Sequence, residues 1–64
     1  MVKINGVDAD LAGVKLSDYL KTAGYESKFI AVEINLEIVP KSAYSETEFK
    51  DGDTIEIVNF VGGG

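Results

Sequence analysis

The sequence predicts an α+β domain in which one helix covers one face of a small mixed sheet. Three observations lead to this fold class. One amphipathic helical segment lies between segments of strand-like composition, the strand-like segments on either side of it form hairpins, and a further one stands near the carboxyl end. With 64 residues, the chain makes one domain near the lower limit for independent folding.

The first hairpin is predicted by an Asn-Gly dipeptide. Asn5-Gly6 separates the alternating segment 2–4 from a second segment at 7–11. Asn-Gly favours a type I′ turn, because such a turn needs a positive φ at both central residues. We therefore expect a strand, a tight turn and a strand.

The single helix is predicted over residues 16–23. Leu16, Tyr19, Leu20 and Ala23 recur at i, i+3, i+4 and i+7, which is one face of a helix. Gly24 follows as a left-handed residue that ends the helix. Because so short a helix is unstable by itself, it must lie on a sheet.

The central part of the chain predicts a second hairpin. Residues 29–34 and 37–39 are strand-like, and residues 35–36 form the turn between them. Pro40 ends the second strand or lies at a sheet edge, since proline has no N–H for a ladder. Residues 41–48 are polar and predict a loop with a helical turn.

The last strand is predicted over residues 54–60, after a turn at residues 51–53. Ile55 and Ile57 should face the same side of the sheet as Ile4. The order is then ββ-α-ββ-β, with the first and last strands side by side and parallel in the middle of a sheet of four to five strands. That arrangement is the β-grasp, or ubiquitin-like, fold. A ferredoxin-like split is the alternative, but it needs two full helices.

The composition excludes several classes of function. The chain has no Cys and no His, which removes most zinc sites, thiolate nucleophiles and imidazole bases. The net charge of −5 disfavours nucleic acid and anionic membranes as partners. We expect no catalytic residue, no metal site and no bound cofactor. Absence of disulfides in so small a domain favours the cytoplasm.

A docking surface is predicted on the last strand. Glu56, Val58 and Phe60 should point away from the face that carries Ile55 and Ile57. Exposed apolar side chains next to the end of the chain are typical of a surface that binds a partner. We therefore interpret these three residues, together with Val61, as a docking patch. The alternative is that a loop of the same domain covers them.

Residues 62–64 are all glycine and predict a flexible tail after a domain that spans residues 1–61. The Gly64 carboxylate is an unhindered acyl centre, and residues 61–64 in extended form reach about 13 Å. Such an arm fits a narrow channel, where its carboxylate can attack the α-phosphate of ATP. A sulfur nucleophile can then displace AMP from the acyl adenylate. The alternative is an end without function or an engineered addition.

The sequence resembles the ThiS family of sulfur carriers over nearly its whole length. Residues 51–58 (DGDTIEIV) and 60–64 (FVGGG) resemble the family's ending. Residues 31–35 and 37–41 resemble its central hairpin, and residues 1–6 resemble its opening. Leu36 departs from the small or polar residue usual in that hairpin turn, but it is far from the tail in sequence.

The resemblance implies a carrier that other enzymes modify and that is not an enzyme itself. It implies that a ThiF-type adenylyltransferase uses ATP to adenylate Gly64. Sulfur drawn from a persulfide of a cysteine desulfurase then gives a thiocarboxylate. It further implies that a ThiG-type thiazole synthase takes this sulfur in thiamine biosynthesis, and that Gly62, Gly63 and Gly64 are threaded into partner active sites. The free carrier is expected to be a monomer.

Other interpretations stay open on the sequence. The small subunit of molybdopterin synthase (MoaD) shares the fold and the glycine ending, but it is usually longer and carries an Arg-rich early segment. Carriers for cysteine or methionine synthesis and a protein-conjugating modifier are related alternatives. A different class is a non-covalent binding module with an inert tail.

Overall fold

The computed structural model describes residues 1–60 and contains one helix and one five-stranded sheet. The helix is α1 (Leu16–Ala23), and the strands are β1 (Val2–Ile4), β2 (Val7–Ala9), β3 (Ile30–Ile34), β4 (Glu37–Val39) and β5 (Thr54–Asn59). Short 3-10 turns occupy Ser27–Phe29 and Lys41–Ala43. No helix among these 60 residues is long and apolar enough to cross a membrane.

The strands lie in the order β2-β1-β5-β3-β4. The central pair β1 and β5 is parallel, with Lys3 beside Thr54 and Ile4 beside Ile55, whereas the other neighbours are antiparallel. The two hairpins therefore flank the last strand, and the predicted β-grasp arrangement is confirmed.

Both predicted hairpin turns have left-handed central residues. Asn5 and Gly6 have φ angles of 48° and 84°, as a type I′ turn requires. Asn35 and Leu36 have φ angles of 54° and 71°. Leu36 is strained by comparison with glycine, and its side chain is exposed.

Helix α1 has the predicted bounds and the predicted end. Gly24 is left-handed at φ 86°, and its N–H reaches the carbonyls of Leu20 and Lys21. Leu16 and Leu20 are buried and Tyr19 is partly buried, but Ala23 is exposed. The buried stripe thus ends at Leu20, one turn earlier than predicted.

Three strand ends differ from the prediction. Strand β2 stops at Ala9 because its partner in the ladder, Val2, is the first residue of β1. Phe29 belongs to a 3-10 turn, where its N–H donates to Glu26, so β3 begins at Ile30. Strand β5 ends at Asn59, one residue before the predicted end.

The core lies between α1 and the inner face of the sheet. Its ten buried side chains are Val2, Ile4, Leu16, Leu20, Ile30, Val32, Tyr44, Phe49, Ile55 and Ile57. Ile4, Ile55 and Ile57 share one face, as predicted. The burial of Phe49 was not predicted from the sequence, and its ring meets that of Tyr19 edge-on at 5.7 Å between centroids.

Three titratable groups have displaced pKa values. Burial raises the pKa of the Tyr19 and Tyr44 hydroxyls. A hydrogen bond to the Asp51 carboxylate raises the pKa of the Met1 ammonium group. Because Gly52 N–H also donates to the Met1 carbonyl, the turn before β5 is held against the start of β1.

Candidate functional site at the end of the last strand

The predicted docking residues on β5 and directly after it are exposed. Glu56, Val58 and Phe60 all lie at the surface, with 55% of Val58 and 51% of Phe60 accessible. Ile55 and Ile57 are buried on the opposite face of the same strand. Among residues 1–60, no loop therefore covers the end of β5, and its apolar side chains are accessible to a partner.

Two further residues extend this surface, and the sequence analysis missed them. Ala31 of β3 lies directly opposite Val58 in the antiparallel register, and Phe60 N–H donates to the Phe29 carbonyl at 2.6 Å. Phe29 is 45% exposed. We call Phe29, Ala31, Val58 and Phe60 the open-face patch. The β-rich composition of residues 29–34 was visible in the sequence, but the register that sets it beside β5 was not.

Charged residues border the open-face patch. Glu56 lies opposite Glu33, and the exposed Ile38 follows on the far side of Glu33. The Lys28 ammonium group stands 5.2 Å from the centre of the Phe29 ring. The apolar patch thus has an acidic border towards the start of β5 and a cation at its opposite end.

Asn5 holds the middle of β5 through both its backbone and its side chain. Its backbone N–H donates to the Ile55 carbonyl at 2.9 Å. Its Oδ1 accepts from the Ile57 N–H at 2.8 Å, and its Nδ2 donates to the Ile57 carbonyl at 3.3 Å. The Asn-Gly pair predicts the turn from the sequence. The contacts with β5 could not be predicted in this way, because they depend on the parallel pairing of β1 with β5.

Asn35 holds the beginning of β5 in a similar way. Its N–H donates to the Thr54 carbonyl at 2.8 Å, and its Oδ1 accepts from the Thr54 N–H at 3.0 Å. Its Nδ2 donates to the Asp53 carboxylate at 2.9 Å. The first residue of each hairpin turn therefore binds the last strand by its side-chain amide.

The remaining predicted site residues lie outside the described residues. These are Val61 of the docking patch, the threaded glycines Gly62 and Gly63, and the acyl site Gly64. The domain boundary at residue 61 and the flexibility of residues 62–64 stay predictions for the same reason.

The described residues show no metal-binding cluster, and a groove lies near the start of β5. Within residues 1–60, no three His, Cys, Asp or Glu side chains come together as metal ligands. A groove of about 520 Å³ lies between β4 and the segment that precedes β5, with Pro40 and Asp53 in its lining. This groove borders the start of β5 and lies away from the open-face patch.

Comparisons with known proteins identify the family of this chain. The ThiS family model matches residues 2–64. The sulfur carrier protein ThiS of Bacillus subtilis is 43% identical over 68 residues, with the whole of both chains covered. A thiazole synthase of Paramagnetospirillum magneticum is 47% identical over 62 residues, which are 95% of this chain but only 19% of that protein. The crystal structure of the thiamine biosynthesis protein ThiS from Geobacter metallireducens superposes with a TM-score of 0.75 at 28% identity, covering 98% of this chain and 97% of that one. The chain belongs to the ThiS family.

Proposed function

We propose that the chain is a sulfur carrier that delivers sulfur for thiazole formation in thiamine biosynthesis. The observation that carries the proposal is the family match over residues 2–64, which includes the glycine ending. The relative with full coverage of both chains is itself named a sulfur carrier protein. The exposed apolar end of β5 supports the proposal, because a carrier must dock before its tail can react.

The proposed chemistry takes place on the Gly64 carboxylate. One carboxylate oxygen attacks the α-phosphorus of ATP, pyrophosphate leaves, and an acyl adenylate forms. A persulfide sulfur then attacks the acyl carbon and AMP leaves, after which cleavage of the S–S bond by a thiol gives the thiocarboxylate. The chain is a co-substrate in these steps and not the enzyme, and ATP binds to the activating enzyme.

The proposed partners follow from the relatives and from the family. A region of thiazole synthases from Paramagnetospirillum magneticum and Magnetococcus marinus is similar to this chain, at 47% and 36% identity. In each of those proteins a carrier-like segment and the remaining sequence share one polypeptide, which favours a ThiG-type partner. A ThiF-type adenylyltransferase and a cysteine desulfurase persulfide complete the proposed set. All of this chemistry belongs in the cytoplasm.

The proposed docking places the open-face patch and Glu56 against the partner, with Val61 continuing that surface. Gly62 and Gly63 then pass through a channel that has no room for a Cβ, and Gly64 reaches the reacting atoms. The net charge of −5 suits an activating enzyme with a basic docking face.

Intact-mass measurement tests the proposal. The full chain is incubated with ATP, a ThiF-type enzyme and a persulfide donor. We expect an adenylate first, and then a product in which sulfur replaces one oxygen, located at Gly64 by fragmentation. Deletion of Gly64, or addition of one residue after it, should abolish both products. The amide NMR spectrum of residues 1–60 should stay unchanged, which would show that the fold is intact.

Two results would contradict the carrier function. One is the absence of an adenylate with every cognate activator, and the other is oxygen-to-sulfur exchange that fragmentation locates away from the terminal glycine carboxylate. Undiminished partner affinity in the deletion variant, without any modification of the intact chain, would identify a binding module with an inert tail.

A further inference from the structure

The side-chain amide of Asn5 takes the place of a peptide unit in the central ladder. In a parallel pair, the carbonyl of one residue and the N–H two residues later bind the same residue of the neighbouring strand. Strand β1 leaves the sheet at Asn5, where φ turns positive, so its backbone cannot supply the next pair of bonds. Oδ1 and Nδ2 of Asn5 bind the N–H and carbonyl of Ile57 instead.

This contact is the last one that β5 makes on its β1 side among residues 1–60. The alternation of the ladder turns the backbone groups of Asn59 towards that side, where β1 has already ended at Ile4. On the β3 side the ladder continues as far as the bond between Phe60 N–H and the Phe29 carbonyl. From Val58 onwards, β5 is therefore bound on one side only.

We propose that Asn5 is a positioning residue for the carboxyl-terminal arm. By holding both backbone groups of Ile57, it fixes the last residue of β5 that is bound on both sides, and so the point from which the chain approaches its tail. Without this bond, β5 would be bound on one side from an earlier residue, so the segment that leads to Gly64 would sample more conformations and fewer of them would suit the activating enzyme's channel. This inference rests on the proposed function above.

Asn35 supplies a matched control. It also has a left-handed φ, it also starts a hairpin turn, and it also binds β5 by its side-chain amide. Its contact is at Thr54, at the opposite end of the strand from the arm. Glycine at either position accepts the positive φ, and the substitution removes the side chain together with its amide.

The two variants, Asn5→Gly and Asn35→Gly, are compared in the full chain by amide hydrogen exchange. Each should lower the melting temperature by about 5–15 °C, because each loses two side-chain hydrogen bonds in a small domain. In Asn5→Gly the Ile57 and Phe60 amides should exchange about tenfold faster while Thr54 is little changed. In Asn35→Gly the Thr54 amide should exchange faster, whereas the exchange rate of the Phe60 amide should stay unchanged.

Steady-state adenylation by a ThiF-type enzyme gives the functional readout. For Asn5→Gly we expect the KM for the carrier to rise about fivefold with kcat within about twofold, since arm presentation and not chemistry is affected. Asn35→Gly should leave KM unchanged. Asn5→Asp keeps the acceptor for Ile57 N–H but loses the donor, so its KM should fall between the two.

Equal changes in KM for the two glycine variants would overturn the proposal, because Asn5 would then contribute to stability alone. Unchanged Phe60 exchange in Asn5→Gly would also overturn it. These exchange rates need no partner, so they decide the structural claim independently. Failure of the unaltered chain to be adenylated would instead overturn the proposed function.

Discussion

Phe49 shows how one residue can join two segments that are distant in the sequence. It is almost completely buried, and its backbone N–H and carbonyl bind Val14 and Gly13. Its ring meets Tyr19 of α1 at 5.7 Å. The segment before β5 is therefore held under the start of the helix by backbone and ring contacts together.

Replacement of Phe49 by Ala should unfold most of the protein. Loss of a buried phenylalanine costs about 3–5 kcal/mol, which is comparable to the whole stability of a domain of this size. Phe49→Leu keeps most of the apolar volume, so this variant should remain folded but unfold at a lower urea concentration. Urea denaturation followed by circular dichroism measures both, and a fully folded Phe49→Ala variant would contradict the expectation.

Helix α1 depends on the rest of the fold at its start and on one glycine at its end. Lys15, at the position before the helix, makes no side-chain cap. The first free N–H groups, of Leu16 and Ser17, donate to the Thr47 and Tyr44 carbonyls instead. A loop distant in sequence thus caps the helix, and Gly24 ends it.

Gly24→Ala should destabilise the protein by about 1–2 kcal/mol, because an L-residue is strained at a φ of 86°. A Cβ at this position would meet no atom within 4 Å, so the cost is conformational and not steric contact with a neighbour. Asparagine tolerates the left-handed region, so Gly24→Asn should lose less of the free energy of unfolding than Gly24→Ala. Thermal unfolding of the unaltered protein and the two variants checks this order of stability. An equal loss of stability in both variants would show that something other than φ is responsible.

Residues 1–60 use one face of the sheet for stability and, within this part of the chain, leave the other face uncovered. Helix α1 and the segment around Phe49 cover the inner face, whereas Val58 is half exposed on the other, next to the half-exposed Phe29 and Phe60. A single helix cannot cover both faces of a five-stranded sheet. The open face is therefore available for a partner at the point where the chain approaches its glycines.

Phe60→Asp should weaken binding to a ThiF-type activator about thirtyfold, as expected for an aromatic residue at the centre of an interface. Its effect on the free energy of unfolding should stay within about 0.5 kcal/mol, because the side chain is half exposed. The matched control is Val7→Asp on the edge strand β2, where Val7 is 67% exposed and distant from the patch. Calorimetric titration measures the affinities. A large loss of melting temperature with unchanged binding would assign Phe60 to the core.

The sequence alone determined the elements and their order, because its signals are local. The repeat from Leu16 to Leu20, the Asn5-Gly6 pair and Gly24 each specify a backbone conformation through neighbouring residues. The β-grasp order and the ThiS resemblance followed, and the family match over residues 2–64 confirms that resemblance. The outward direction of Val58 followed from strand alternation alone.

Only the tertiary structure decided which distant residues meet. The burial of Phe49, the capping of α1 by Tyr44 and Thr47, and the pairing of Ala31 with Val58 all join segments far apart in the chain. Asn5 gave a turn signal in the sequence, yet its bonds to Ile57 exist only because the first and last strands lie side by side. Local periodicity encodes conformation, whereas register and side-chain pairing depend on how the strands pack together.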